Sequence, residues 1–242
     1  MDTVRALLGA YPFRDLSVLE IEGLAVRAVP RFLDAGEHLY RAGDAATALH
    51  VVAQGLLKEY ALSHDGGELI FEFFGAGATF GEPGLFVPEQ NRVASVAALQ
   101  PSLVICLPRQ VLITFLFEHP PAMMRILEGL SLDVRKLADD QVGLAYDPVQ
   151  ARLVVKLLEL AEAQADEASP GGLSIARLSQ AELAAAVGAS RAKVNRTLGA
   201  LASVGAVSLG PGRRITLYPP ALRRLGRSDA LPRMRNRPPP PA

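Results

Sequence analysis

From Arg31 to Pro108, short apolar runs (HLY, ALHVVA, LLKEYAL, ELIFEFF, RVASVAAL, SLVICL) alternate with glycine-bearing turns at Gly36, Gly43, Gly55, Gly66-Gly67 and Gly75–Gly81. Many short strands at turn-marked spacing predict an antiparallel roll or barrel. The stretch SHDGGEL is a hairpin turn, because Asp-Gly supplies the positive φ that such turns need. Ahead of the roll, Leu7, Leu8, Leu16, Leu19, Ile21 and Leu24 recur at near-helical intervals.

After Pro120-Pro121 the pattern changes. Met123, Leu127, Leu130, Val134, Leu137, Gln141 and Leu144 alternate steps of four and three, the seam of a coiled coil with one polar interruption. About 25 residues of helix reach roughly 37 Å. Helix 122–146 is therefore expected to pair with a second copy of the chain. A core helix of a single subunit is the other reading of the same stripe. The helix must stop before Pro148, because a proline disfavours helical geometry in the residue before it. Asp147-Pro148 then reads as N-cap and first residue of the next helix, whose buried face would be Val149, Leu153, Leu157 and Leu160.

The stretch LSQAELAAAVGASRAKVNRTLGALASVGAV (178–207) divides into two short helices. Ser179 and Glu182 form an S-x-x-E capping box at the start of the first, where Gln180 also sits. Leu183 and Val187 face inward, Gly188 allows a tight turn, and Ser190 caps the second helix. There Val194, Leu198 and Leu201 make the buried stripe, while Arg191, Ala192, Asn195 and Arg196, with Lys193 beside them, share another face. A helix–turn–helix needs this division, because one side packs and the other enters the major groove. AVSLGPGRRITLYP reads as two strands around Gly210-Pro211-Gly212, a wing that places Arg213 and Arg214 for phosphate contact. Arginine can pair with guanine O6 and N7, and asparagine with adenine.

Charge supports the division. Net charge is zero, yet residues 1–147 hold 11 Lys+Arg against 19 Asp+Glu, a net of −8. Residues 148–242 hold 14 against 6, a net of +8. An acidic front and a basic back point to two domains, the second with double-stranded DNA as its partner.

One segment fits neither half's packing. In FGEPGLFVPEQNR (80–92), a lone Glu82 and a lone Arg92 bracket two glycines and two prolines. Gly81 and Gly84 let backbone approach a ligand, and Pro83 suits the first residue of a short helix turn whose free amides favour an anion. Arg92 begins the next strand and can return to the same pocket. A guanidinium pairs with phosphate, and a carboxylate accepts from a hydroxyl such as a ribose 2′-OH. A cyclic nucleotide meets both demands. An internal Glu82–Arg92 salt bridge in a pocket that takes no nucleotide, or another ligand, is the alternative.

These two motifs resemble those of the cyclic-AMP receptor protein/FNR (Crp-Fnr) family of bacterial transcription regulators, over about residues 10–220. FGEPGLF…NR is similar to the family's phosphate-binding cassette, and LSQAELAAAVGASRAKVNRTL to its helix–turn–helix. The resemblance implies an α+β fold: a β-roll sensor (1–118), a dimerisation helix and hinge (119–147) and a winged helix–turn–helix domain (148–222). The last stretch (223–242) is basic and proline-rich without periodicity, which predicts a disordered tail. It implies that Gly81, Glu82, Pro83, Gly84, Arg92 and Val93 line the nucleotide site, with Glu82 on the ribose and Arg92 on the phosphate of cyclic AMP. Ser179, Gln180, Ser190, Arg191, Ala192, Lys193, Asn195, Arg196, Arg213 and Arg214 would meet DNA, and RNA polymerase would be a further partner. Three positions depart from the family pattern. Val93 stands where nucleotide binders carry Ser or Thr, LADDQ (137–141) replaces a Thr-Ser pair, and Ala192 replaces a base-reading Glu.

The remaining features exclude other classes. No apolar run approaches about 18 residues, so nothing spans a bilayer, and the first residues do not form a signal peptide. Cys106 is the only cysteine, which excludes an internal disulfide and fits a reducing cytoplasm. His38, His50, His64 and His119 lack metal spacing, and no nucleophile motif is present, so neither a metal nor catalysis is expected. A nucleotide-binding regulatory module of an enzyme is a remaining rival, but it leaves the basic winged end without a role.

Overall fold

The computed structural model describes residues 3–87, 91–164, 168–169, 172–175, 178–210 and 214–225. It forms two compact units. The first runs to Glu59 and resumes from Phe74 to Arg135; the second takes Tyr60–Phe73 and the described residues from Lys136 onward.

The chain opens with α1 (Thr3–Leu8), a 3₁₀ turn at Tyr11–Phe13 and α2 (Val18–Ala25), the last started by a Ser17/Glu20 capping box. Eight strands follow: β1 (Val29–Leu33), β2 (His38–Tyr40), β3 (Ala48–Gln54), β4 (Leu57–Leu62), β5 (Glu68–Phe74), β6 (Thr79–Phe80), β7 (Ser95–Ala98) and β8 (Ser102–Pro108). They form two sheets, β1-β8-β3-β6 and β2-β7-β4-β5, and every pairing in the first is antiparallel. The β4–β5 turn closes with Ser63 N–H donating to Gly67 O, and Gly66 takes the positive φ of 77° expected of the Asp-Gly pair.

Strand β3 is buried on both faces. Successive side chains of a strand point oppositely, so Leu49 and Val51 join Leu7, Phe13, Ile21 and Phe115 in one core, while Val52 joins Tyr40, Phe74, Phe80 and Val104 in the other. After β8 come α3 (Arg109–Glu118) and the 27-residue α4 (Pro120–Tyr146). The expected seam of α4 is only partly free. Met123 and Leu130 pack against the first core, whereas Leu127, Val134, Leu137 and Leu144 are exposed.

In the second unit α5 (Val149–Ala163) buries Val149, Leu153, Leu157 and Leu160, as the periodicity requires. Its cap differs from expectation: the N-cap is Pro148, not Asp147. Asp147 N–H still donates to Gly143 O of α4, so Asp147 closes the earlier helix and the extended Pro148 (ψ 151°) starts the later one. Then come β9 (Ala168–Ser169), β10 (Gly172–Ile175), α6 (Gln180–Val187), α7 (Arg191–Ser203), β11 (Val207–Leu209), β12 (Ile215–Leu217) and α8 (Pro219–Leu225). Their strands form a sheet in the order β11-β12-β10-β9. Residues 223–225, expected in the tail, complete α8 because Leu222 is fully buried and anchors it; the rest of the tail lies outside the described residues.

A buried ionic cluster joins three elements of this unit. Lys156 Nζ donates to Glu159 at 2.9 Å and to Phe71 O at 3.2 Å, and lies 3.5 Å from Asp140. Lys136 Nζ meets Asp140 at 3.0 Å, Glu159 at 3.4 Å and Glu72 at 3.8 Å. Asp140, within LADDQ (137–141), is thus engaged by both lysines. Burial pulls Lys136 downward, but the carboxylates of Glu72, Glu159 and Asp140 outweigh it and hold the amine above the ordinary lysine range. Nearby, a Cβ on Gly188 would lie 2.9 Å from Leu144 Cδ1, so the turn after α6 requires glycine for packing as well as for its φ of +64°.

Candidate ligand cassette and nucleic-acid interface

The cassette is set by the return of the chain from β6 to β7. Gly81 has φ +96°, and a Cβ there would sit 2.6 Å from Arg92 Nη1. A Cβ on Gly84 would lie 2.2 Å from Asn91 O. Both glycines therefore permit close approach, one to a guanidinium and one to main chain. Leu85 N–H donates to Glu82 O at 2.9 Å, which makes the segment at Pro83 a single turn. It is a hydrogen-bonded turn and not part of a helix. Arg92 does not begin a strand: β7 starts at Ser95. Instead Arg92 N–H donates to Asp44 O while Arg92 O accepts from Gly43 N–H, which fixes its backbone.

Glu82 and Arg92 are both buried, with 1% and 5% of their surface exposed. Arg92 Nη1 donates to Gly81 O at 2.9 Å. Its Nη2 donates to Ala48 O at 2.7 Å and lies 2.9 Å from His50 Nε2. The guanidinium carbon stands 4.2 Å from the centre of the Tyr40 ring. Burial lowers the Arg92 pKa, while Tyr40 and Glu82 act to raise it. Among the described residues Arg92 Nε finds no acceptor. An unmatched buried N–H is expensive, and an anionic oxygen would satisfy it, so the residues present fit an anion at Arg92. Pro83 is exposed, and Val93 is 70% exposed, so neither joins the buried group.

His50 and Tyr40 belong to this site, and sequence reasoning missed them. The usable signal was the alternation in β3, which puts His50 on the same inward face as Val52.

In the second unit α6 starts with the expected capping box: Ser179 N–H donates to Glu182 at 2.7 Å, and Glu182 N–H to Ser179 Oγ at 3.1 Å. Ser190 caps α7 by accepting from Lys193 N–H. Val194, Leu198 and Leu201 are buried, and Arg191, Ala192, Lys193, Asn195 and Arg196 are all exposed. Asn195 Nδ2 donates to Gln180 Oε1 at 2.8 Å, which links the two helices on this outer side. Strands β11 and β12 pair antiparallel, with Gly210 N–H donating to the carbonyl of the exposed Arg214. Arg213 lies outside the described residues. A packed helix pair with a bare cationic helix face and an adjoining wing can enter a major groove and touch phosphates.

A β-roll of this kind, followed by a long helix and a winged helix–turn–helix, defines a sensor-linked DNA-binding regulator. The family model of the cyclic nucleotide-binding domain matches residues 30–119, and that of the Crp-like helix-turn-helix domain matches residues 151–225. The chain belongs to the Crp-Fnr family of transcription regulators. It is 29% identical over 182 residues to the cyclic AMP receptor protein of Thermus thermophilus, covering 75% of this chain and 81% of that protein. It is 26% identical over 210 residues to a CRP-like cAMP-activated global transcriptional regulator of Mycobacterium tuberculosis, covering 86% and 92%. Among solved structures it is similar to the c-di-GMP responsive global regulator CLP of Xanthomonas campestris, at a TM-score of 0.67 and 27% identity over 84% of this chain and 99% of that one. It shares a fold with FixK2 from Bradyrhizobium japonicum, at a TM-score of 0.72 and 20% identity over 83% and 98%. No helix among the described residues is long and apolar enough to cross a membrane.

Proposed function

We propose that this regulator works in the cytoplasm as a homodimer under the control of a cyclic nucleotide, with cyclic AMP as the first candidate. The sensor is 1–118, the dimer helix and hinge 119–147, and the DNA-reading module 148–222. The carrying observation is the buried Arg92, whose Nε–H lacks an acceptor beside the buried Glu82. The phosphate would take that N–H, and Glu82 would accept from the ribose. Dimerisation is supported by the exposed Leu127, Val134, Leu137 and Leu144 along α4, which a second copy would cover. Two recognition helices would then enter major grooves about one turn (~34 Å) apart. Moving the equilibrium from mostly inactive to mostly active takes roughly 5.5 kcal/mol of differential affinity, shared by two sites. The chain acts by binding, not by catalysis, with RNA polymerase as its further partner.

Calorimetry with cyclic AMP, cyclic GMP and cyclic di-GMP, followed by DNA titration with any that bind, tests this. Saturable heat and a changed DNA affinity are expected; no heat with all three would end the nucleotide reading. A second reading, a regulator that binds DNA without a nucleotide, is favoured by one observation: Gly81 O, Ala48 O and His50 already hold both terminal nitrogens of Arg92.

A further inference from the structure

His50 is buried in the cassette, with 5% of its surface exposed. Its ring lies between Tyr40, at 5.4 Å between centres, and Phe80, at 5.2 Å, and Phe80 stacks on Phe74 at 4.4 Å. A Cβ on Gly81 would lie 3.2 Å from His50 Cδ2, so the main chain closes a further edge of the ring. An imidazole so enclosed has one orientation.

Its protonation is equally fixed. A guanidinium has N–H donors and no acceptor, so His50 Nε2, 2.9 Å from Arg92 Nη2, must accept. The proton of the neutral ring therefore sits on Nδ1. Burial, then the charges of Arg92 and Arg31, lower the His50 pKa to about 3, so the ring stays neutral at physiological pH. The other two acceptors on Arg92 are main-chain carbonyls, of Gly81 and Ala48. His50 is thus a side chain that holds the guanidinium within its plane, and Arg92 Nε–H is left without an acceptor among the described residues, as is His50 Nδ1.

We propose that His50 is a positioning residue, which holds Arg92 so that its Nε–H faces the anionic oxygen of the sensor's ligand. The inference rests on the nucleotide reading above and adds to it a determinant of affinity. His50 does not touch the ligand in this scheme; it acts through Arg92.

Two substitutions separate this role from simple packing. His50→Phe keeps the stacked ring and removes the acceptor. His50→Gln keeps an acceptor near the position of Nε2 and removes the ring. Cyclic AMP titrations of the full chain should show His50→Phe weakened at least about tenfold, as for a lost hydrogen bond to a charged group. His50→Gln should stay within about threefold of the parent. Thermal melting of both variants checks that each remains folded. The reverse order, with Phe tolerated and Gln not, would assign His50 to packing and overturn the proposal while leaving nucleotide binding intact. A parent protein that binds none of cyclic AMP, cyclic GMP and cyclic di-GMP would overturn both. In ¹⁵N spectra of the parent, His50 should be neutral with its proton on Nδ1; a proton on Nε2 would contradict the geometry directly.

Discussion

The molecule buries positive charge in two places and satisfies it in opposite ways. In the roll, Arg92 donates to two carbonyls and one imidazole, all neutral, and burial lowers its pKa more than the charge of Glu82 raises it. In the second unit, Lys136 and Lys156 are met by the carboxylates of Glu72, Asp140 and Glu159. Burial weighs on Lys136 too, yet there the carboxylates win and its pKa is raised. A cation held by neutral groups keeps its charge for an arriving anion. A cation already matched by carboxylates holds elements together, here β5, α4 and α5. Burial alone therefore does not mark a binding site; the charge of the partners does.

The largest expected effect is in the lysine cluster. Glu159→Gln leaves the buried Lys156 and the half-buried Lys136 short of a carboxylate and should lower unfolding stability by about 3–5 kcal/mol in urea titrations. Replacing Lys156 and Glu159 together with Met and Leu should recover most of it; a double variant as weak as the single would contradict the structural role. Because the Lys136 pKa is raised, its contribution is complete below the unfolded value of about 10.4 and is lost only as pH rises through the higher folded value. Stability should thus not decline between pH 7 and 9 on its account.

The exposed cations of α7 mark the other limit. Arg191→Ala should weaken binding to a selected operator by about 1–3 kcal/mol and relax base preference, with folding unchanged. Equal affinity would mean that this face does not read DNA.

The smallest effect per step of the titration tests the neutrality of the roll centre. The depressed pKa of His50 means that the unfolded chain takes up a proton below about pH 6.5 while the folded chain does not until about 3. Its contribution is complete above pH 6.5 and is lost as pH falls through that window, at up to about 1.4 kcal/mol per pH unit. Urea midpoints measured from pH 7 to 4 should fall more gently in His50→Phe than in the parent. Parallel curves would mean that His50 is charged in the folded protein.

How legible these features were depended on sequence distance. The capping boxes, Gly188 and the stripe Val194, Leu198 and Leu201 are local, set within one or two turns of helix, and α6 and α7 stood out for that reason. Glycine turns announced the roll, and Glu82 and Arg92 stood out because charge is rare in that segment. Their surroundings did not. Arg92 meets His50 across 42 residues, and Lys156 reaches Phe71 O across 85. Such contacts depend on strand register and on how a hairpin packs against helices, which no local period encodes. The cap at Pro148 was misplaced by one residue for a related reason: Asp147 can end one helix as readily as start another, and its bond to Gly143 O decides.

The central claim is that an anion at Arg92 is felt at α7. It is tested most directly by measuring the affinity of the full chain for a selected operator with and without saturating cyclic AMP, in the parent and in Arg92→Ala. The expected result is a change of at least about tenfold in the parent, well inside the roughly 5.5 kcal/mol that a full switch allows, and none in Arg92→Ala. An operator affinity in the parent that is the same with and without the nucleotide would contradict it.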